Sequence, residues 1–269
     1  MPDPMGTPIT RGRLAADLRG LGVPDGGTVM VHTSLRSLGW VVGGAQTVLA
    51  ALRDAVGPEG TLVMPTQSWQ LCDPAFLQEA PSAWWPTIRA HLPLYDPALT
   101  PSQTMGIVAE LFRTTPGAIR SPHPHRSVTA VGPQAERVAA RHRLDAPTGE
   151  ESPLRALVDL DASVLLLGVT GAKITALHLA EHRADFPGKR TVANGVAAVV
   201  DGRREWLSWQ ELDVHDEDFE EVADAFVAET GLARAGLVGA APAQLLPARP
   251  LVDFATEWFT SHRQNHSYA

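Results

Sequence analysis

Three short apolar runs constrain this chain more than any other feature: TVMVH (28–32), TLVMP (61–65) and VLLLGV (164–169). Each is too short for a core helix and is bounded by glycine-containing turns such as DGG and GPEG. Runs of this kind read as strands buried on both faces, as in a sheet covered by helices. Between the first two lie a Gly-rich loop and a helical stretch from about Gln46 to Val56, with Val48, Leu49 and Leu52 apolar. The β–loop–α–β order argues for an α/β domain. The 269 residues, 44% of them hydrophobic, suffice for one large domain with a sizeable core, and the whole chain, 1–269, is read as one unit.

Other segments follow the same logic. Thr10 caps a predicted helix to about residue 21, with Leu14, Leu18 and Leu21 on one face. Helices are predicted over Met105–Arg113, Ala135–Arg141, 217–229 and Leu251–His262. AAVVDGRREWL reads as a hairpin, because Asp201-Gly202 suits a type I′ turn. Residues 70–104 carry much Pro and Trp without periodicity, which marks a long ordered excursion over a site, with Trp84-Trp85 a candidate pocket wall.

Composition narrows the function. A formal net charge of -8 argues against general nucleic-acid binding and suits a cationic ligand. The lone cysteine, Cys72, rules out an internal disulfide framework and a thiolate metal cluster. No apolar run reaches the ~20 residues of a membrane span, and MPDPMGTPITRGRL lacks the apolar core of a signal peptide. A soluble cytoplasmic protein is expected. No G-x-S-x-G or similar nucleophile motif occurs, so covalent catalysis is not suggested.

The chemistry-bearing residues gather in a few places. ITALHLAEHRADFPGKR (174–190) sets His178 and His182 four apart with Glu181 between them. The spacing leaves open a metal-binding helix face, a catalytic base with an acidic neighbour, and a bonded His178 beside a surface His182. The glutamate adjoins the second histidine, unlike H-E-x-x-H. His178 lies about nine residues beyond VLLLGV, past Gly168 and Gly171, and sites in α/β proteins gather at the carboxyl ends of strands. His32 ends another predicted strand and precedes TSLRSLGWVVGG, a loop able to offer N–H groups to phosphates or simply to connect strand to helix. RSPHPHRS, with Arg120, His123, His125 and Arg126, reads as an anion site or a Pro-stiffened loop. ELDVHDEDFEE (211–221) reads as a solvated face or a surface matched to a polyamine.

The blocks VMVHTSLRSLGWVVGG, GTLVMPTQSW, DPALTPSQTMGIVAELFR, GAIRSPHPHRSVTAVGP, GEESPL and LLLGV…TALHLAEHR stand in the order seen in one family. From about residue 10 to 262 the chain resembles the aminoglycoside 3-N-acetyltransferases, an antibiotic acetyltransferase family distinct from the GNAT fold. The resemblance implies a central mixed β-sheet flanked by helices, with an inserted loop and helical excursion. It implies acetyl transfer from acetyl-coenzyme A, as co-substrate, to the 3-amino group of 2-deoxystreptamine, with no metal and no nucleic-acid or membrane partner, in a monomer or homodimer. The family's general base maps onto His178, with Glu181 and His32 as further catalytic candidates. The coenzyme loop maps onto His32, Thr33, Ser34, Leu35, Ser37, Leu38 and Gly39, joined by Arg120 and Ser121. The antibiotic is expected to meet Trp69, the aspartate Asp96 that precedes Pro97, Glu110, Glu181, Asp213, Asp216 and Asp218. One departure stands out: where many members carry polar residues four and six before the histidine, this chain has Ile174 and Ala172. Either another carboxylate orients the imidazole, with Glu110, Glu150 and Glu181 as candidates, or the base is weaker than the resemblance implies.

Overall fold

Strand β1 (Thr28–Thr33) lies at the centre of a seven-stranded sheet in the computed structural model, which describes residues 7–263. The other strands of this sheet are β2 (Thr61–Pro65), β3 (Ile119–Arg120), β4 (Val128–Val131), β5 (Ser163–Leu167), β8 (Arg234–Val238) and β9 (Ala241–Pro247), in the order β3-β4-β2-β1-β5-β9-β8. β1 runs parallel to both β2 and β5, and the outer pairs are antiparallel, so the sheet is mixed as expected. The apolar runs are continuous because both faces are covered. Met30, Val63, Val164 and Leu166 point into one core, while Val29, Val31, Leu62, Met64, Leu165 and Leu167 point into the other.

Helices α1 (Arg11–Leu21), α2 (Gly44–Val56) and α5 (Gly106–Arg113) cover the second face. The first face carries α6 (Ala135–Ala139), α7 (Pro153–Asp159), α8 (Leu177–Arg183), α9 (Phe219–Thr230) and α10 (Ala248–His262). Short helices α3 (Pro74–Leu77) and α4 (Trp85–His91) lie in the excursion. Thr10 caps α1 by accepting from Arg13 N.

The predicted hairpin extends well beyond AAVVDGRREWL, as two ten-residue strands, β6 (Thr191–Val200) and β7 (Arg203–Leu212). Its turn has positive φ at both Asp201 (49°) and Gly202 (76°), which is the type I′ requirement. The hairpin packs beside RSPHPHRS, and this changes the meaning of both segments. Arg126 forms an ion pair with Glu211 on β7 (3.1 Å), and both are buried. His123 and His125 are fully buried, their rings 5.6 Å apart, and Trp209 stacks on His125. The segment read as an anion site or a Pro-stiffened loop with solvated charges is therefore core.

Burial keeps three histidines neutral: His32 falls to about 4, His125 to about 3, and His123 well below its usual 6.5. In the unfolded chain they take up protons near pH 6.5, so the unfolded state binds more protons below that pH. Their contribution is thus intact above about pH 6.5 and is lost as pH falls from there. Each such group costs about 1.4 kcal/mol per pH unit. Urea midpoints measured between pH 7 and 5 should fall steeply, and His125→Gln should lessen the slope by about one proton. An unchanged slope in that variant would show that His125 is not neutral in the folded state.

Candidate active site

The carboxyl ends of β1, β2 and β5 open into a cavity of about 980 Å³. This is where parallel strands in α/β sheets place their ligands. Its walls are the β1–α2 loop, the start of α5, the β5–α8 loop, Trp69, Asp216 and Phe219. Gly168 lets the β5–α8 loop nest against the β1–α2 loop: a Cβ there would lie 2.3 Å from Ser37 Cβ.

His178 enters this cavity from the first turn of α8. Its Nδ1 lies 2.6 Å from Glu181 Oε2, one turn along the same helix, and its ring sits 4.8 Å from that of Phe219. Beside an ionised carboxylate Nδ1 carries the proton, which leaves the Nε2 lone pair for the cavity. Glu181 Oε1 accepts from Arg263 Nη1 (2.6 Å) and from His215 N (2.9 Å). Arg263 also grips Asp218 with two hydrogen bonds, at 2.7 and 2.6 Å, and donates to His215 O. Burial opposes charge on Glu181, but His178 and Arg263 outweigh it and hold the carboxyl below its usual range. Arg263 is likewise raised above its ordinary value, because Asp218 and Glu181 outweigh its burial. Of the three carboxylates expected to orient the imidazole, Glu181 does so. Glu110 instead accepts from Ser102 and pairs with Arg113, and despite its burial these bonds bring it to about 2. Glu150 pairs with Arg155 and Arg183. Ile174 is fully buried in the core, and Ala172 lines the cavity.

The β1–α2 loop is divided between wall and support. His32, Thr33, Ser34, Leu35 and Gly39 line the cavity. Leu38 is buried in the core behind them, and Ser37 Oγ lies within reach of Ser34 Oγ (2.9 Å) and Gly168 O (3.1 Å). Where Ser37 donates to Ser34, the Ser34 hydroxyl hydrogen is free to point into the cavity. His32 Nε2 and Thr33 Oγ1 are buried without a partner among the described residues, polar groups left unpaired in the cavity wall. Two wall cations, Arg36 and Lys173, suit an anionic ligand. Neither stands out in the sequence, where each is one basic residue among many.

Other predicted site residues lie elsewhere. Arg120 is buried and donates to Thr66 O, Ser68 Oγ, Thr100 O and Ser127 Oγ, and Ser121 Oγ accepts from Val128 N and shares a hydrogen bond with His142 Nδ1. Neither lines the cavity; the buried guanidinium of Arg120 has to spend its donors locally. Asp96 caps the turn at Pro97 by accepting from Ala98 N and Leu99 N. Asp213 pairs with Arg190. Asp218 and Glu181 are consumed by Arg263, so neither is open to a ligand, contrary to expectation. Trp69 and Asp216 do line the cavity; Trp84, 62% exposed, and Trp85 do not. The acidic stretch 211–221 is thus not one solvated face, since Glu211 and Asp218 are internal. His182, expected at the surface, is partly buried, and a Cβ on Gly149 would meet its Nδ1 at 3.2 Å. Among the described residues no group of three or more His, Cys, Asp or Glu gathers as a metal site. No helix among them is long and apolar enough to cross a membrane.

Comparison with known proteins adds independent information. A sequence model of the family described as aminoglycoside 3-N-acetyltransferase matches residues 30–260. The aminoglycoside N(3)-acetyltransferase VIII of Streptomyces fradiae is 44% identical over 269 residues, covering 95% of this chain and 93% of that protein. The crystal structure of YokD from Bacillus subtilis superposes with a TM-score of 0.93 at 40% identity, covering 97% of each chain. A structure of AAC-IIIb as a binary complex with CoASH gives 0.85 at 36% identity, covering 97% of this chain and 100% of that one. AAC-VIa bound to sisomicin gives 0.85 at 32% identity, with coverage of 97% and 100%.

The buried network makes a stability prediction that needs no substrate. Glu181→Leu strips Arg263, His215 N and His178 of their shared acceptor and should destabilise the protein by roughly 3–5 kcal/mol in urea unfolding. A loss below about 1 kcal/mol would mean that these bonds are replaced by solvent.

Proposed function

The chain belongs to the aminoglycoside 3-N-acetyltransferase family, and on that premise we propose that it moves the acetyl group of acetyl-coenzyme A to the 3-amino group of the 2-deoxystreptamine ring of an aminoglycoside. Such a transfer confers resistance to the antibiotic. His178 acts as general base, and no covalent acyl-enzyme forms. The observation that carries this reading is the His178–Glu181 pair, held at 2.6 Å on a cavity of about 980 Å³. That volume lies at the upper end of ordinary ligand pockets, as a site for two meeting substrates requires.

The chemistry derives from the geometry. An ammonium group has no lone pair, so the acceptor amine enters neutral or loses a proton on the way. Its nitrogen attacks the thioester carbonyl, forming the C–N bond. His178 Nε2 takes the amine proton while Glu181, at Nδ1, stabilises the imidazolium that results. The tetrahedral oxyanion is assigned to donors of the β1–α2 loop, with the Ser34 hydroxyl the nearest side-chain candidate. Collapse breaks the C–S bond, and the proton held by His178 returns to the departing thiolate. Arg36 and Lys173 suit the phosphates of the coenzyme. Asp216, the carboxylate on the wall near His178, suits a second ammonium of the antibiotic. His32 is buried and neutral and serves as a wall of the coenzyme loop rather than as a second base.

A second reading, acetyl transfer to a less cationic small amine, rests on one observation. Asp216 is the one carboxylate among the described cavity-lining residues, against Arg36 and Lys173. Thiol release with an aminoglycoside panel and with simple amines separates the two.

His178→Ala should lower kcat by about a thousandfold while acetyl-coenzyme A binding, read by calorimetry, is retained. Turnover unchanged in that variant would remove His178 from the mechanism. Asp216→Asn should raise KM for the aminoglycoside roughly tenfold and leave KM for acetyl-coenzyme A alone. Equal effects on both KM values would place Asp216 outside the acceptor subsite.

A further inference from the structure

Arg263, just past the end of α10, reaches a glutamate 82 residues away in sequence and is 1% exposed. A clamp fastening α10 to α8 requires no more than one ion pair, yet Arg263 stands between two carboxylates. Its Nε and Nη2 bind Asp218 as a fork, and its Nη1 binds Glu181 Oε1. The guanidinium lies 3.9 Å from the centre of the Phe259 ring and 5.2 Å from that of Phe186, so it is fixed in place. Glu181 turns its other oxygen to His178.

We propose that Arg263 and Asp218 are positioning residues that divide the charge of Glu181 and so set how strongly the reaction's base holds its proton. The inference rests on the reading of His178 as that base. With His178 neutral, the buried group Glu181, Asp218 and Arg263 carries a net charge of -1, from two carboxylates and one guanidinium. When the amine proton reaches His178 the sum becomes zero, so the group is best balanced as the imidazolium forms. Without Asp218 the same step would create a net positive charge in a buried place. Without Arg263 two uncompensated carboxylates would keep His178 protonated, and a protonated imidazole accepts nothing. Arg263 thus prevents the base from being too strong, and Asp218 prevents it from being too weak.

The other charged and titratable groups around the pair are Asp216 and Lys173 on the cavity wall, His32 on β1, His215 and Asp213 after β7, and His182, Arg183 and Lys189 on and after α8. Substitutions at Asp218 and Arg263 leave all of them in place, so their influence cancels between variants.

The test is the pH dependence of kcat/KM between pH 5 and 9, read as thiol release with acetyl-coenzyme A and sisomicin. Asp218→Asn should move the acid limb down by about half a pH unit or more, and Arg263→Gln should move it up by a similar amount. Arg263→Lys, which keeps the charge and loses the fork, should lower kcat with the limb close to wild type. A clamp without electrical influence would lower kcat or stability in these variants with no opposed shifts. Where Arg263→Gln does not fold, the sign of the Asp218→Asn shift decides: a limb that stays or rises overturns the proposal. His178→Ala runs in parallel. Retained turnover there sinks the base assignment itself, whereas lost turnover with unshifted limbs sinks only the role of Arg263 and Asp218.

Discussion

A carboxylate that is 1% exposed has to be neutralised by its neighbours, and much of this site is arranged around that need at Glu181. Its two oxygens collect His178 from α8, His215 N from the segment after β7, and Arg263 from the end of α10. Three stretches distant in sequence are joined through one side chain. The imidazole cannot rotate without giving up a 2.6 Å bond inside a low-dielectric setting, where such bonds are strong. Stability and the orientation of His178 therefore depend on the same few contacts.

The sheet supplies the other half of the construction. β1 and β5 are parallel neighbours, in register from Val29↔Ser163 to Thr33↔Leu167, so they end together. The loop after Thr33 and the loop before α8 are thereby forced to one end of the sheet. Gly168 allows the close approach to Ser37. The wall that carries Ser34 and the wall that carries His178 are brought together by strand register before any side chain is considered.

The central strands are legible in sequence because burial on both faces leaves an unbroken apolar run, and TVMVH, TLVMP and VLLLGV carry it. Asp201-Gly202 is legible because only a few residue pairs accept two positive φ values. β8 and β9 escape such a reading: RAGLV and APAQLLP mix small, polar and proline or charged residues, and the pattern of an edge hairpin is weaker than that of a core strand. The imidazole and its neighbouring glutamate are visible as an i, i+3 pair, but their bond is not, since the same spacing serves a solvated pair equally well. Arg120 and Arg126 mislead for a general reason. A basic residue beside histidines and serines looks the same whether its partners are ligands or backbone carbonyls, and only the packed hairpin decides. Nothing local to Arg263 points to Glu181, because their pairing exists only once α10 has docked on α8.

Ile174 and Ala172, the apolar positions four and six before His178, have a physical meaning. They lie on the loop before α8, while the groups that orient His178 come from one turn further along the helix and from Arg263, beyond α10. The orienting bond therefore asks nothing of the loop. Ile174 turns into the core and adds apolar contact there, and Ala172 leaves room in the cavity wall. A loop that does not hold His178 can change the polarity of its cavity-facing positions without moving the imidazole. Lys173, between these two positions, turns a cation to the same cavity, where it suits an anionic group such as a phosphate. The orienting bond is thus tied to the core through Glu181 and Arg263, whereas Ala172 and Lys173 face the cavity from a loop anchored by the buried Gly171 and Ile174.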